Sequence, residues 1–533
     1  MVVANMLGLG LGLAATLTPV QARERIEQAG VASLSADLAA GRITSEAAVR
    51  AYLKRIAAMD RAGPRINSII ALNPDALTEA RAMDAERRAG RLRGPLHGVP
   101  ILLKDNIEAA GMATTAGSLA LIRNAPGRDS PVAAALRARG AIILGKTNLS
   151  EWANFRSDRS MSGWSAVGGL TRNPYALDRT TCGSSSGSGA AVAAGFAPAA
   201  IGSETNGSII CPSSMMGLVG LKPTVGLVPR THIVPISHSQ DTAGPMARGV
   251  RDVAMLLSAL VASDPADPAT ADAMAHATDY AAALDPAAVA RLRIGVLRGG
   301  AQPELLARYE AALAVLQKLG ATLVEVKKPE SLGPGAGMSA ASYDVLQYEF
   351  KADVDAYLAS TRADQVSSRT LADLIAFNDA HRDAEMPLFG QDIFTLSQGR
   401  AGLDDPAYRA AREKSLRLAG REGIDAMLAD NHVDLLVTIS YGPAWPSDTV
   451  WGDQYEGPGG SAAPAAIAGY PHLTVPMGLV RGLPVGLSFI GGAYQEQRLL
   501  DAGYAYEQAA GLTLRPDFRA TVDTGPELEG APR

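Results

Sequence analysis

The sequence predicts an α/β fold: a large, twisted, mixed but mainly parallel β-sheet covered by helices on both faces. Three observations carry that prediction. Short, almost wholly apolar runs recur, among them GVPILL (98–103), GAIILG (140–145) and RIGVL (293–297); a strand buried on both faces reads as such a run. Stretches with helical periodicity or an alanine-rich, charged composition separate them, and that alternation builds parallel sheets through crossover helices. The bulk composition is that of a globular chain, with 533 residues, 47% hydrophobic and 19% charged.

Taken in order, ITSEAAVRAYLKRIAAM (43–59) predicts an amphipathic helix. Thr44 caps it, and Ala48, Val49, Tyr52, Leu53 and Ile56 share one face. INSIIALN (66–73) is β-branched and reads as a strand, and a charged helix follows from about Asp75 to Ala89. GVPILLKDN (98–106) is a buried strand whose polar end carries function. SPVAAALRARGAIILGKTN (130–148) gives a helix, a turn at Gly140 and another buried strand. RLRIGVLRGG (291–300) is one more strand. The rest of about 264–430, for example TLADLIAFNDAHRDAE (370–385), reads as helical cover on the same core. VDLLVTIS (433–440), HLTVPMGL (472–479) and LPVGLSFIG (483–491) return to strands, and EGPGGSAAPAAIAGYP (456–471) reads as a loop. Residues 23–533 count as one domain.

Residues 1–22 stand apart. An apolar core from Met6 to Leu17 precedes Val20-Gln21-Ala22, a small-x-small pattern, so the segment reads as a secretory signal peptide cleaved after Ala22. Export to the periplasm or beyond is the expectation, with a cytoplasmic location if the segment is retained. No later run approaches the roughly 20 apolar residues of a membrane span. The net charge of −5 and pI near 5.9 argue against a nucleic-acid partner. Two cysteines, Cys182 and Cys211, make no disulfide framework and no zinc-spaced cluster; Cys211 reads as a small buried hydrophobe. Neither a metal nor a cofactor is expected.

The chemistry concentrates in TCGSSSGSGAAVAAGFAPAAIGSETNGSIICPSS (181–214). A flexible linker would have polar flanks, whereas an apolar alanine and valine run follows these serines. GSSSG (183–187) matches the G-x-S-x-G nucleophile elbow, which would make Ser185 the nucleophile of a Ser-His-Asp hydrolase. Of the seven histidines, His472 is the best placed to serve as its base.

A third reading accounts for more residues. GVPILLKDN, CGSSSGSGAAVAAG and GSETNGSI resemble three blocks of the amidase signature family, and LGKTNLSEWA (144–153), GLVGLKPTVGLVPR (217–230), SQDTAGPMAR (239–248), AGYPHLTVPMG (468–478) and GLPVGLSFIG (482–491) extend the resemblance in order over residues 30 to 510. The resemblance implies the family's fold and a Ser-cisSer-Lys triad. Ser208 would be the nucleophile, Ser184 the bridging serine and Lys104 the base, with the backbone N–H groups of Thr205, Asn206, Gly207 and Ser208 as oxyanion hole. Elementary chemistry agrees. A serine hydroxyl needs a base, and a lysine serves only when burial lowers its pKa from about 10.4. Lys104 leaves the apolar strand Ile101-Leu102-Leu103, although a salt bridge to the adjacent Asp105 is the ordinary use of such a lysine. Consecutive N–H groups in a glycine turn suit a developing oxyanion.

The chain departs from the family pattern at Cys182, Ser186, Asn206 and Ile210. Within the family, CGSSSGS, LSEWANFR (149–156), ISHSQDTAGPMAR (236–248) and LADLIAFNDAH (371–381) look like the bacterial peptide amidases. That likeness implies hydrolysis of C-terminal peptide amides with release of ammonia. The same triad serves aryl acylamidases, carbamate and ester hydrolases, and the amidase component of glutamyl-tRNA amidotransferases. A monomer or homodimer acting on a small or peptide amide, fastest at neutral to alkaline pH, is the expectation.

Overall fold

A computed structural model describes residues 25–454, 461–525 and 528. The signal-peptide reading of residues 1–22 lies outside the described residues. Eleven strands form one sheet: β1 (Ile69–Leu72), β2 (Pro100–Lys104), β3 (Ile142–Thr147), β4 (Ala199–Glu204), β5 (Val219–Lys222), β6 (Thr242–Ala247), β7 (Arg293–Leu297), β8 (Thr322–Val326), β9 (Leu435–Ile439), β10 (His472–Val480) and β11 (Leu483–Ile490). Their spatial order is β1-β3-β2-β4-β6-β5-β10-β11-β9-β7-β8.

The sheet is mixed. Its parallel pairs fall in two blocks, β3-β2-β4 and β9-β7-β8. The strands between those blocks pair antiparallel, as β1 does with β3. β2, β3 and β4 are buried at every position, which is why β2 and β3 begin as the apolar runs read from the sequence.

Local signals place the helices. Thr44 accepts a hydrogen bond from the Ala47 N–H at 3.1 Å and opens the helix Ser45–Met59, a cap that stabilises by about 1 kcal/mol. Ser130 and Pro131 open Pro131–Ala138 in the same way, and Thr370 with Asp373 forms a reciprocal capping box for Leu371–Ala380. Two segments depart from the sequence reading. The stretch read as helical cover contains, besides β7, the strand β8, whose Thr322 and Glu325 are exposed at the sheet edge; this polar edge hides its strand character. Part of the expected loop at 456–471 is the buried helix Ala462–Ala468, ended by Gly469 at φ 76°. Its glycine- and proline-rich surroundings masked it. Among the described residues no helix is long and apolar enough to cross a membrane.

Candidate active site

β2 and β4 run in parallel, with Leu102 opposite Ala200 and Leu103 opposite Ile201. That register brings the ends of both strands, Lys104 and Ser203, to one edge of the sheet, where α/β folds gather functional groups. Lys104 is wholly buried. Its Nζ lies 2.7 Å from Ser184 Oγ, 2.9 Å from Ser203 Oγ and 3.2 Å from the Ser203 carbonyl oxygen. Asn106 Nδ2 donates to the same Ser203 Oγ at 2.9 Å. Asp105, the expected ion-pair partner, instead lies 3.0 Å from the Nζ of Lys146. Burial therefore pushes Lys104 from 10.5 down to about 7, with Asp241 and Glu204 opposing through space.

The contact set also orients the amine. A neutral lysine has two N–H donors and one lone pair. The Ser203 carbonyl can only accept, and the Ser203 hydroxyl oxygen has room for a second donor beside Asn106. A neutral amine with both N–H groups directed at Ser203 would turn its lone pair toward the Ser184 hydroxyl.

The other serines of the run are engaged elsewhere. Ser185 Oγ donates to the Ser203 carbonyl at 3.0 Å and accepts from the Ser203 N–H at 3.2 Å. Ser186 Oγ donates to the Cys182 carbonyl at 2.7 Å, and Ser188 Oγ lies 2.8 Å from Thr147 Oγ1. The Gly183–Ser184 peptide is cis, and the Ser184 carbonyl accepts from the Ser150 N–H at 3.1 Å. The helix Ser186–Ala193 follows, wedged so close that a Cβ on Gly187 would lie 2.4 Å from the Ser68 carbonyl oxygen. The nucleophile-elbow reading fails on this geometry. Ser185 is spent on main-chain contacts, while His472 Nε2 sits 2.5 Å from Ser488 Oγ, with burial holding the ring at about 3, far below its ordinary value.

β4 leads directly into Thr205-Asn206-Gly207-Ser208. Gly207 has φ +83°, and a Cβ there would meet Tyr441 Oη at 2.4 Å, so only glycine fits. The Glu204 carboxylate accepts from the N–H groups of Ile209 at 2.7 Å and Ile210 at 3.0 Å, anchoring the far side of the turn. Thr205 Oγ1 donates to Asp241 at 2.5 Å. The Ser185 N–H donates to the Ser208 carbonyl at 3.1 Å, joining the turn to the Ser184 segment. The N–H groups of Asn206, Gly207 and Ser208 have no acceptor among the described residues.

Several residues at the site were not singled out from sequence: Ser203, Asn106, Asp241 and Ser150. Asn106 was detectable as the polar end of the KDN run; the others carry no local signal. Cys211 is not a free apolar filler but is disulfide-bonded to Cys182, 29 residues away, with a Cα–Cα distance of 5.9 Å. Trp152, Ala153 and Asn154 form a left-handed turn with φ of 48°, 54° and 71°, a conformation that costs about 1–2 kcal/mol per residue. The buried Arg156 braces it, bonding Glu151 and, at 2.6 Å, the Glu385 carbonyl of the helical cover. Arg156 also lies 4.3 Å above the Phe389 ring. A cavity of about 440 Å³ reaches Asn106, Ser203 and Thr205, with Arg230, His238 and Asp353 farther along its wall. It adjoins Asn106 and Ser203 beside Lys104, and neither Ser184 nor Ser208 lines it.

A buried, unpaired amine against a serine hydroxyl is the equipment of acyl-transfer enzymes. Comparison with known proteins narrows this class. The family model described as Amidase matches residues 47–500. The peptide amidase from Stenotrophomonas maltophilia, solved by X-ray crystallography, superposes with a TM-score of 0.88 at 51% identity, covering 93% of this chain and 99% of that one. An amidase family protein from Bacillus anthracis gives a TM-score of 0.82 at 32% identity, covering 94% of each chain. A glutamyl-tRNA(Gln) amidotransferase chain of Moorella thermoacetica is 36% identical over 482 residues, 88% of this chain and 93% of the relative. The chain belongs to the amidase family. It is a hydrolase acting on the C–N bonds of linear amides.

Proposed function

We propose that this enzyme hydrolyses C-terminal peptide amides, with Ser208 as nucleophile, Ser184 as proton relay and Lys104 as base. The observation that carries the reading is the Lys104 amine, held without a carboxylate partner 2.7 Å from Ser184 Oγ. The substrate carbonyl oxygen enters the turn at 205–208 toward the free N–H groups. Ser208 Oγ bonds the carbonyl carbon while its proton passes to Ser184, whose own proton passes to Lys104 Nζ. Collapse of the tetrahedral adduct breaks the C–N bond, and the relay returns a proton so that ammonia departs. Water then repeats the sequence on the acyl-enzyme. Each oxyanion donor contributes about 10²–10³ in rate.

The 51% identity to a peptide amidase, against 36% to an amidotransferase chain, favours water as the acyl acceptor. Export is part of the same proposal, since a disulfide beside the site suits an oxidising compartment.

The test is ammonia release from an N-blocked dipeptide amide, with the anilide and methyl ester of the same acyl group in parallel, for wild type and Ser208→Ala. Ammonia release that disappears in the variant is the expected result. Turnover of only the anilide or ester would move the substrate class, and activity surviving Ser208→Ala would overturn the mechanism.

A further inference from the structure

The structure assigns a positioning role to the Cys182–Cys211 disulfide: we infer that it clamps the relay-serine segment to the nucleophile segment and so limits how far Ser184 and Ser208 can separate. The inference rests on the Ser208-Ser184-Lys104 reading above and deepens it.

The placement argues for it. Cys182 lies two residues before Ser184, and Cys211 three residues after Ser208. The bridge therefore spans the same two segments as the proton relay. On the relay side, Ser184 is tied toward the base by Lys104 at 2.7 Å and toward Ser150 by its carbonyl at 3.1 Å. On the nucleophile side, Glu204 holds the N–H groups of Ile209 and Ile210. Neither set of ties joins Ser184 to Ser208 directly. Between the two segments the Ser185 N–H donates to the Ser208 carbonyl at 3.1 Å, and Ser185 Oγ bonds the Ser203 carbonyl and N–H just before the turn; these are hydrogen bonds, each of which can lengthen at little cost. A covalent bridge cannot lengthen.

Its ends are fixed in turn. Cys211 N–H donates to the Gly207 carbonyl at 2.8 Å, so the bridge grips the first turn after Ser208. The Cys182 carbonyl accepts from Ser186 Oγ at 2.7 Å, and its N–H donates to Thr180 Oγ1 at 3.0 Å. Cys182 is 7% and Cys211 1% exposed, so dissolved thiols have little access, and the bridge acts in the folded enzyme as a permanent clamp. A displacement of about 1 Å between reacting groups can cost 10²-fold in rate.

The test uses the full-length double variant Cys182→Ala/Cys211→Ala, which leaves no odd thiol, with Ser208→Ala as control. Steady-state kinetics on a peptide amide are measured well below the variant's melting temperature. In parallel, the rate of serine labelling by an uncharged fluorophosphonate is followed, with circular dichroism to establish folding. The expected result is a folded variant whose kcat and labelling rate fall about 10- to 100-fold while KM stays within about twofold. A variant that melts earlier yet keeps wild-type kcat and labelling rate would overturn the clamp and leave a purely stabilising bridge. If the alanine pair does not fold, Cys182→Ala/Cys211→Val, which refills the site from the helix Ile210–Met215 and keeps a β-branched residue off Cys182 with its φ of 55°, takes the same measurements. Labelling or turnover that persists in Ser208→Ala would instead overturn the triad reading, whatever the cysteine variants do.

Discussion

Replacing Ser203 by alanine probes how the base is held. The substitution removes the hydroxyl 2.9 Å from Lys104 Nζ and leaves the backbone carbonyl at 3.2 Å. It also strips Asn106 Nδ2 of its near acceptor, leaving the Val234 carbonyl at 3.5 Å. A hydrogen bond to a charged group contributes about 1.5–3 kcal/mol and a neutral one about 0.5–1.5 kcal/mol. The lost acceptor therefore stabilised the ammonium over the amine by roughly 1 kcal/mol, and one pKa unit corresponds to about 1.36 kcal/mol. The sign follows: Lys104 releases its proton more easily in the variant. The acid limb of kcat/KM, expected to follow the Lys104 pKa of about 7 in the wild type, should move down by about 0.7–1 unit. The plateau should fall about 10-fold, because the amine can now turn its lone pair away from Ser184. Ammonia release from a peptide amide, profiled between about pH 5 and 9, reads both quantities, and Ser203→Thr should restore them. An acid limb that stays in place or moves upward would refute the reasoning.

Two further outcomes follow from the same geometry. Gly207→Ala places a Cβ 2.4 Å from Tyr441 Oη at φ +83°, so kcat should fall about 10²-fold with about 1–2 kcal/mol of stability lost; kinetics with urea unfolding checks this, and a variant keeping half the wild-type kcat would contradict it. The Cys182→Ala/Cys211→Ala chain regains the loop entropy of a 29-residue separation, worth about 3.6 kcal/mol on the chain-entropy relation. Denaturant midpoints of both proteins measure it, and a loss below about 1 kcal/mol would set that relation aside here.

Much of the fold was legible because its signals are local. β2 and β3 are buried at every position and spell that burial as apolar runs; Thr44, Ser130 and Thr370 announce their helices through hydroxyls that satisfy backbone donors a few residues away. β8 and Ala462–Ala468 escaped because a polar edge strand and a short alanine helix among glycine and proline lack such periodicity.

At the site, the sequence by itself determined the residue types proposed to react and their order along the chain: a lysine ending an apolar strand, a serine run before a small-residue helix, and a glycine turn carrying another serine. Only the tertiary structure decided how they are used. Asp105 goes to Lys146 and leaves Lys104 without a carboxylate partner, its pKa drawn down by burial to about 7; Ser184 alone of its run meets Lys104 while Ser185, Ser186 and Ser188 go elsewhere; Cys182 finds Cys211. Each of these choices is a contact between segments far apart in the chain, set by the parallel register of β2 and β4 and by burial. Neither is written in the identity of any one residue.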